Sequence, residues 1–200
     1  MAARRVATGA GQTMAVVGRA ELKLAEAARA FGYDFRGKTV LDIGSSTGGF
    51  TEFALRNGAT RVVAIEKGTG QMKAPLRFDE RVDLREKTDI FTVRREELPE
   101  IDTVLADVSF VSLTKVLMYA KMEIACRKTD YLVMLKPQFE AYPDQLVKGV
   151  VKNERMRREI VKGFEQWLKR NGFVIVKKRD NETVGKVGGN RERFYWLQAR

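Results

Sequence analysis

The chain of 200 residues has no histidine, a single cysteine, only four prolines and no apolar run long enough to cross a membrane. Each shortage excludes something. Without histidine there is no Ser-His-Asp or Cys-His relay, and the usual imidazole ligands of zinc enzymes are missing. Acid–base chemistry must come from Lys, Asp, Glu or Tyr side chains. Cys126 cannot form an internal disulfide, which fits a reducing cytoplasm, and its apolar helical surroundings predict a packed thiol. No stretch approaches the roughly 20 apolar residues of a membrane helix. Residues 1–17 carry Arg4 and Arg5 but no sustained apolar run, so they make a poor signal peptide and are expected to form a flexible tail ahead of one domain, 18–200.

What is present is a basic, globular composition: 44% hydrophobic, 32% charged and a formal net charge of +11. The charge is uneven. Residues 148–200 hold 15 Lys/Arg against 6 Asp/Glu, and residues 1–38 hold 7 against 3. Basic ends around a nearly neutral middle predict a polyanionic partner, most simply RNA or DNA. Lys and Arg near 148–158 and 186–193 are the candidate contacts.

Hydrophobic patterning predicts alternating strands and helices. A helix over Arg19–Phe31 ends at Gly32. Strands are expected at Thr39–Ile43, Arg61–Glu66, Val82–Arg85, Thr103–Asp107, Tyr131–Leu135, Phe173–Lys178 and Phe194–Gln198. A helix over Asn153–Asn171 has Asn153 as its N-cap and an apolar stripe of Met156, Ile160, Phe164, Trp167 and Leu168. Its other face carries Arg155, Arg158, Lys162 and Lys169. This alternation predicts an α/β fold, a doubly wound, mostly parallel, Rossmann-like sheet with its ligand at the carboxyl ends of the strands.

The most informative stretch is Val40-Leu41-Asp42-Ile43-Gly44-Ser45-Ser46-Thr47-Gly48-Gly49-Phe50. A buried strand breaks into a glycine-rich turn that opens a helix over Phe50–Asn57. Gly44 permits a tight turn, and Gly48 and Gly49 are expected to let a ligand approach the main chain. The spacing is neither G-x-G-x-x-G nor a P-loop. Asp42 ahead of the glycines suits a cationic, amine-bearing ligand such as S-adenosylmethionine. Glu66, ending the second strand, is placed to accept both ribose hydroxyls of an adenosyl group. Asp89, after the third strand, could accept from an adenine amino group. Ser45, Ser46, Thr47, Phe50, Lys67 and Asp107 complete the candidate cofactor set.

Two further strands end in a charge: Asp107 after Val104-Leu105-Ala106, and Lys136 after Leu132-Val133-Met134-Leu135. A charge directly after such a run is costly to place unless paired or functional.

Together, Asp42–Thr51, the Asp107-Val108-Ser109-Phe110-Val111-Ser112-Leu113 run and the Leu135-Lys136-Pro137-Gln138-Phe139-Glu140 run resemble the TlyA-type haemolysin family of FtsJ-like ribosomal RNA 2′-O-methyltransferases. The resemblance implies a ribose 2′-O-methyl transfer from S-adenosylmethionine to ribosomal RNA, with cytidine as a candidate target and no metal. It implies a catalytic set of Lys23, Asp107, Lys136 and Glu192, the last in Gly189-Asn190-Arg191-Glu192. Lys136 is then the base, Asp107 orients it, and Glu192 holds Lys23. The chain departs from the family pattern at Ala20-Glu21, where two glycines are usual in a turn expected to face RNA or substrate. It departs again at Glu66 for aspartate and at Lys148-Gly149-Val150. Residues 1–17 are too few for the family's N-terminal RNA-binding domain.

Overall fold

The computed structural model describes residues 4–7, 13–16, 18–126, 128–181 and 189–200. Arg4–Ala7 (β1) pairs antiparallel with Thr13–Val16 (β2) inside the segment expected to be a tail. Helix α1 spans Arg19–Phe31 and stops at Gly32, whose φ of 65° lets its amide close the last turn. There follow β3 (Thr39–Ile43), α2 (Gly49–Arg56), β4 (Arg61–Ile65), β5 (Val82–Arg85), β6 (Thr103–Ala106), α3 (Leu113–Tyr119) and β7 (Asp130–Leu135). A short hairpin of β8 (Leu146–Val147) and β9 (Val150–Val151) leads to α4 (Glu154–Arg170), β10 (Phe173–Asp180) and β11 (Arg193–Ala199).

Seven strands form one sheet in the order β10-β11-β7-β6-β3-β4-β5. The five strands β3 to β7 are parallel, and β11 runs antiparallel between β7 and β10. The chain leaves β3 towards β4 and β5, then returns to β6 on the other side. That reversal opens a crevice at the carboxyl ends of β3 and β6, where ligands bind in folds of this kind.

Alternate residues of each strand face opposite layers. Leu41, Val104, Val133 and Tyr195 pack with α3 and α4; Val40, Leu105, Leu132 and Phe194 pack with α1 and α2. Both faces of the central strands are therefore buried, which is why they read as continuous apolar runs. Helix α4 begins at its expected cap, with Asn153 Oδ1 accepting from Met156 N at 2.9 Å. Arg155, Arg158, Lys162 and Lys169 are exposed on it, as anticipated. Cys126 differs from expectation. It lies beyond the π turn of Ala120–Ile124 that extends α3, is only half-buried, and donates its amide to Thr129 Oγ1 at 3.0 Å.

Candidate active site

The glycine-rich turn leaves β3 with Gly44 at φ 80°. A side chain there would press on the Asp107 carbonyl at 3.2 Å, so glycine lets β3 and β6 diverge closely. At Gly48 and Gly49 the protein packing itself requires glycine. A Cβ on Gly48 would collide with Leu76 and Met72, and one on Gly49 would lie 2.9 Å from Ala20 Cβ. Both glycines thus make room for neighbouring protein.

The crevice is a cleft of about 460 Å³, within the size range of small-molecule sites. Of the candidate cofactor residues, Gly44, Ser46, Glu66, Lys67, Asp89 and Asp107 line it, with Ile43, Ile65, Ile90 and Phe91 as apolar walls. Asp42, Ser45, Thr47, Gly48, Gly49 and Phe50 do not. Glu66 reaches back to the turn, accepting from Ser46 N at 2.8 Å and Gly68 N at 2.6 Å. Asp89 accepts from Phe91 N at 3.2 Å and pairs with Lys67 at 2.8 Å, and the Lys67 contact holds its carboxyl below the usual range.

Asp42 is fully buried beneath this cleft. Its Oδ2 accepts from Thr51 Oγ1 at 2.6 Å, while Oδ1 has no partner among the described residues. Burial pushes its carboxyl up to about 7, only partly offset by the Thr51 hydroxyl and reinforced by the charges of Asp107 and Glu66.

At the carboxyl ends of β6 and β7, Lys136 Nζ sits 2.6 Å from Asp107 Oδ1 in an ion pair and donates to Ser109 Oγ at 2.9 Å. A second ion pair joins Lys23 of α1 to Glu192 at 2.6 Å. The ladder pairs Arg193 with Leu135, so Glu192 and Lys136 each lie one residue beyond that pair, on neighbouring strands. The fold thus brings all four candidate catalytic residues to one end of the sheet. Each of the four side chains is 10–19% exposed, enclosed yet reachable.

Several supporting residues escaped the sequence reading. Ser109 carries a Lys136 contact, and Asn181 donates to Glu192 Oε2 at 3.1 Å. Glu140 accepts from Ser112 Oγ and Leu113 N, both at 2.6 Å, tying the loop after β6 to the loop after β7. Phe110 stands at the mouth, 92% exposed, with φ 62° and its ring 5.2 Å from that of Phe139. For a bulky residue that backbone conformation is strained by about 1–3 kcal/mol, a feature of functional loops. Ala20 and Glu21 stand on a helix, where a turn was expected. They lie in the first turn of α1, and Glu21 is buried against Arg56 at 3.1 Å. Lys186, among the candidate basic contacts, lies outside the described residues.

A doubly wound sheet with this strand order and a cleft at its reversal point defines a methyltransferase-type fold. A Mesorhizobium loti S-adenosylmethionine-dependent methyltransferase superposes with a TM-score of 0.61 over 90% of this chain and 98% of its own, at 16% identity. The chain belongs to the FtsJ-like methyltransferase family, whose pattern matches residues 16–199. It is 37% identical over 186 residues to the Mycobacterium tuberculosis 16S/23S rRNA (cytidine-2′-O)-methyltransferase TlyA, covering 92% of this chain and 69% of that protein. It is 34% identical over 182 residues to the Campylobacter jejuni 23S rRNA (cytidine-2′-O)-methyltransferase TlyA, covering 90% and 70%. A Lactococcus lactis protein described as a candidate hemolysin superposes with a TM-score of 0.84 at 33% identity, covering 92% and 88%. Among the described residues, no helix is long and apolar enough to cross a membrane.

Proposed function

We propose that this methyltransferase acts in the cytoplasm and moves the methyl group of S-adenosylmethionine to a ribose 2′-hydroxyl of ribosomal RNA, with cytidine as the target nucleotide. The observation that carries this reading is the pairing of Lys136 with Asp107 and of Lys23 with Glu192 beside an adenosyl-sized cleft. The names of the two TlyA relatives support the same substrate.

The residues fit the cofactor. Glu66 offers a carboxylate now bonded to turn amides, and Asp89 lines the same cleft. S-adenosylmethionine supplies a methyl group already activated by its sulfonium charge. The protein's task is therefore mostly positioning. Lys136, once it has given up its own proton to solvent, takes the hydroxyl proton as a neutral amine; Asp107 aims that amine, and Lys23, held by Glu192, fixes the ribose. Phe110 presents an aromatic face at the mouth for the nucleotide.

RNA is held by phosphate contacts from the exposed basic face of α4 and from Lys148 and Lys152 of the hairpin region. The rival reading is a non-catalytic RNA-binding assembly factor of the same fold; retention of all four catalytic candidates speaks against it. Tritiated-methyl transfer to purified ribosomal subunits separates the two. Methyl groups should appear on ribose, with RNA affinity falling log-linearly as salt rises. Binding of S-adenosylhomocysteine and subunits without any methyl transfer would leave the assembly-factor reading standing.

A further inference from the structure

Three consecutive residues ahead of β11 are each fastened to a different element. Asn190 clasps the β8–β9 hairpin: its Oδ1 accepts from Val151 N at 2.8 Å and its Nδ2 donates to Gly149 O at 3.0 Å. The carbonyl of Arg191 accepts from Arg157 Nε at 3.0 Å. Glu192 then pairs with Lys23 and accepts from Asn181.

Arg157 is the unusual member. It is 6% exposed and lies on the apolar face of α4, three and four residues before buried Ile160 and Val161. A guanidinium there is costly unless its donors are matched. Here Nη2 donates to Asp180 Oδ1 at 2.7 Å, Nη1 to Glu154 Oε1 at 3.3 Å, and Nε to the peptide that precedes Glu192. Asp180 is braced in turn by Arg193 Nε at 2.6 Å. An arginine's planar fork sets direction as well as distance, which a flexible lysine does not.

We propose that Arg157 and Asn190 are positioning residues for the Lys23–Glu192 pair. Arg157 fixes the peptide from which Glu192 projects. Asn190 makes that peptide follow the β8–β9 hairpin, whose exposed Lys148 is one of the proposed RNA contacts. RNA seated on the hairpin is thereby coupled to the alignment of Glu192. The inference rests on the ribose methyltransferase reading above.

The test is single-turnover methyl transfer to ribosomal subunits, with S-adenosylhomocysteine affinity by calorimetry and the melting temperature measured on the same preparations. Asn190→Ala should slow transfer about 10–100-fold, the range expected when a catalytic group is displaced by up to about 1 Å. Its cofactor affinity should stay within about twofold of wild type, since Asn190 is not among the cleft residues. Arg157→Lys keeps the charge but not the fork, and should lose rate even well below its melting temperature. In a Glu192→Gln background, Asn190→Ala should add little further loss, because it acts through Glu192. Wild-type rates in Asn190→Ala, or full additivity with Glu192→Gln, would overturn the proposal while leaving the methyltransferase reading intact. Failure of the wild-type protein to transfer methyl at all would overturn both.

Discussion

The two ends of the sheet treat a buried carboxylate in opposite ways. At the amino ends of the strands, Asp130 accepts from Trp196 Nε1 and Gln198 Nε2 at 2.9 Å each, from Tyr33 at 3.1 Å and from Lys38 at 3.2 Å. Burial alone would raise its carboxyl, but the bonds from Trp196, Gln198 and Lys38 outweigh that and hold it below the usual range. At the carboxyl ends, Asp42 is more deeply buried, accepts from Thr51 alone with its Oδ1 unpartnered among the described residues, and is pushed up to about 7. A saturated carboxylate supports the fold; an undersaturated one works against it. Lys136 with Asp107 belongs to the second kind of site, enclosed but open on one side.

The contrast can be broken most decisively at Lys136. Lys136→Ala should reduce methyl transfer by about 10²–10⁴-fold, the usual contribution of a positioned acid or base, while cofactor affinity measured by calorimetry changes little. A rate within about threefold of wild type would show that the carboxyl-end pair is structural like the amino-end network. Next comes Asp130→Asn, which should lower unfolding free energy by about 2–4 kcal/mol, because Lys38 loses its anion and the amide cannot satisfy every donor. Urea unfolding measures it, and the transfer rate of the folded variant should match wild type. A rate loss without a stability loss would reverse the assignment of the two ends.

An effect comparable with that of Asp130→Asn, spread over about three pH units, sharpens the comparison. The folded-state carboxyl of Asp42 lies near 7 against an ordinary 3.8, so the native state keeps this proton longer than the unfolded chain does. Its contribution therefore lowers stability as pH rises from about 4 to about 7, by at most about 1.4 kcal/mol per pH unit, and levels off above. Asp42→Asn should remove that slope, gaining on wild type at pH 8 and not at pH 4. Parallel slopes for the two proteins in urea titrations across that range would mean that Asp42 is ionised throughout.

Much of this was legible before any coordinates. Asp107 and Lys136 stand out because each follows an unbroken apolar strand, and charge at such a point is rare without a purpose. Glu192 and Lys23 came through family resemblance, since neither interrupts a pattern. Arg157 was hidden among Arg155 and Arg158 on a helix that reads as basic; its spacing from Ile160 and Val161 was the available signal. Gly48 and Gly49 were read for a ligand's approach, while their close packing on Leu76, Met72 and Ala20 depends on contacts distant in sequence that no local pattern shows. Ala20 and Glu21 were expected in an RNA- or substrate-facing turn because the family pattern has glycines there, and they open α1 instead.

The order of strands and helices, the apolar faces they bury and the absence of imidazole chemistry are properties of local pattern and composition, so the sequence determined them alone. The pairings were decided only by the tertiary structure. Lys23 and Glu192 are 169 positions apart, and either could have met another partner. What joins them is the register that sets Arg193 opposite Leu135, the packing of α1 on the same sheet, and the fork of Arg157 on the intervening peptide. Ion pairing is short-ranged and many-partnered, and side chains find one partner only after backbone hydrogen bonding and core packing have fixed the distances between strands.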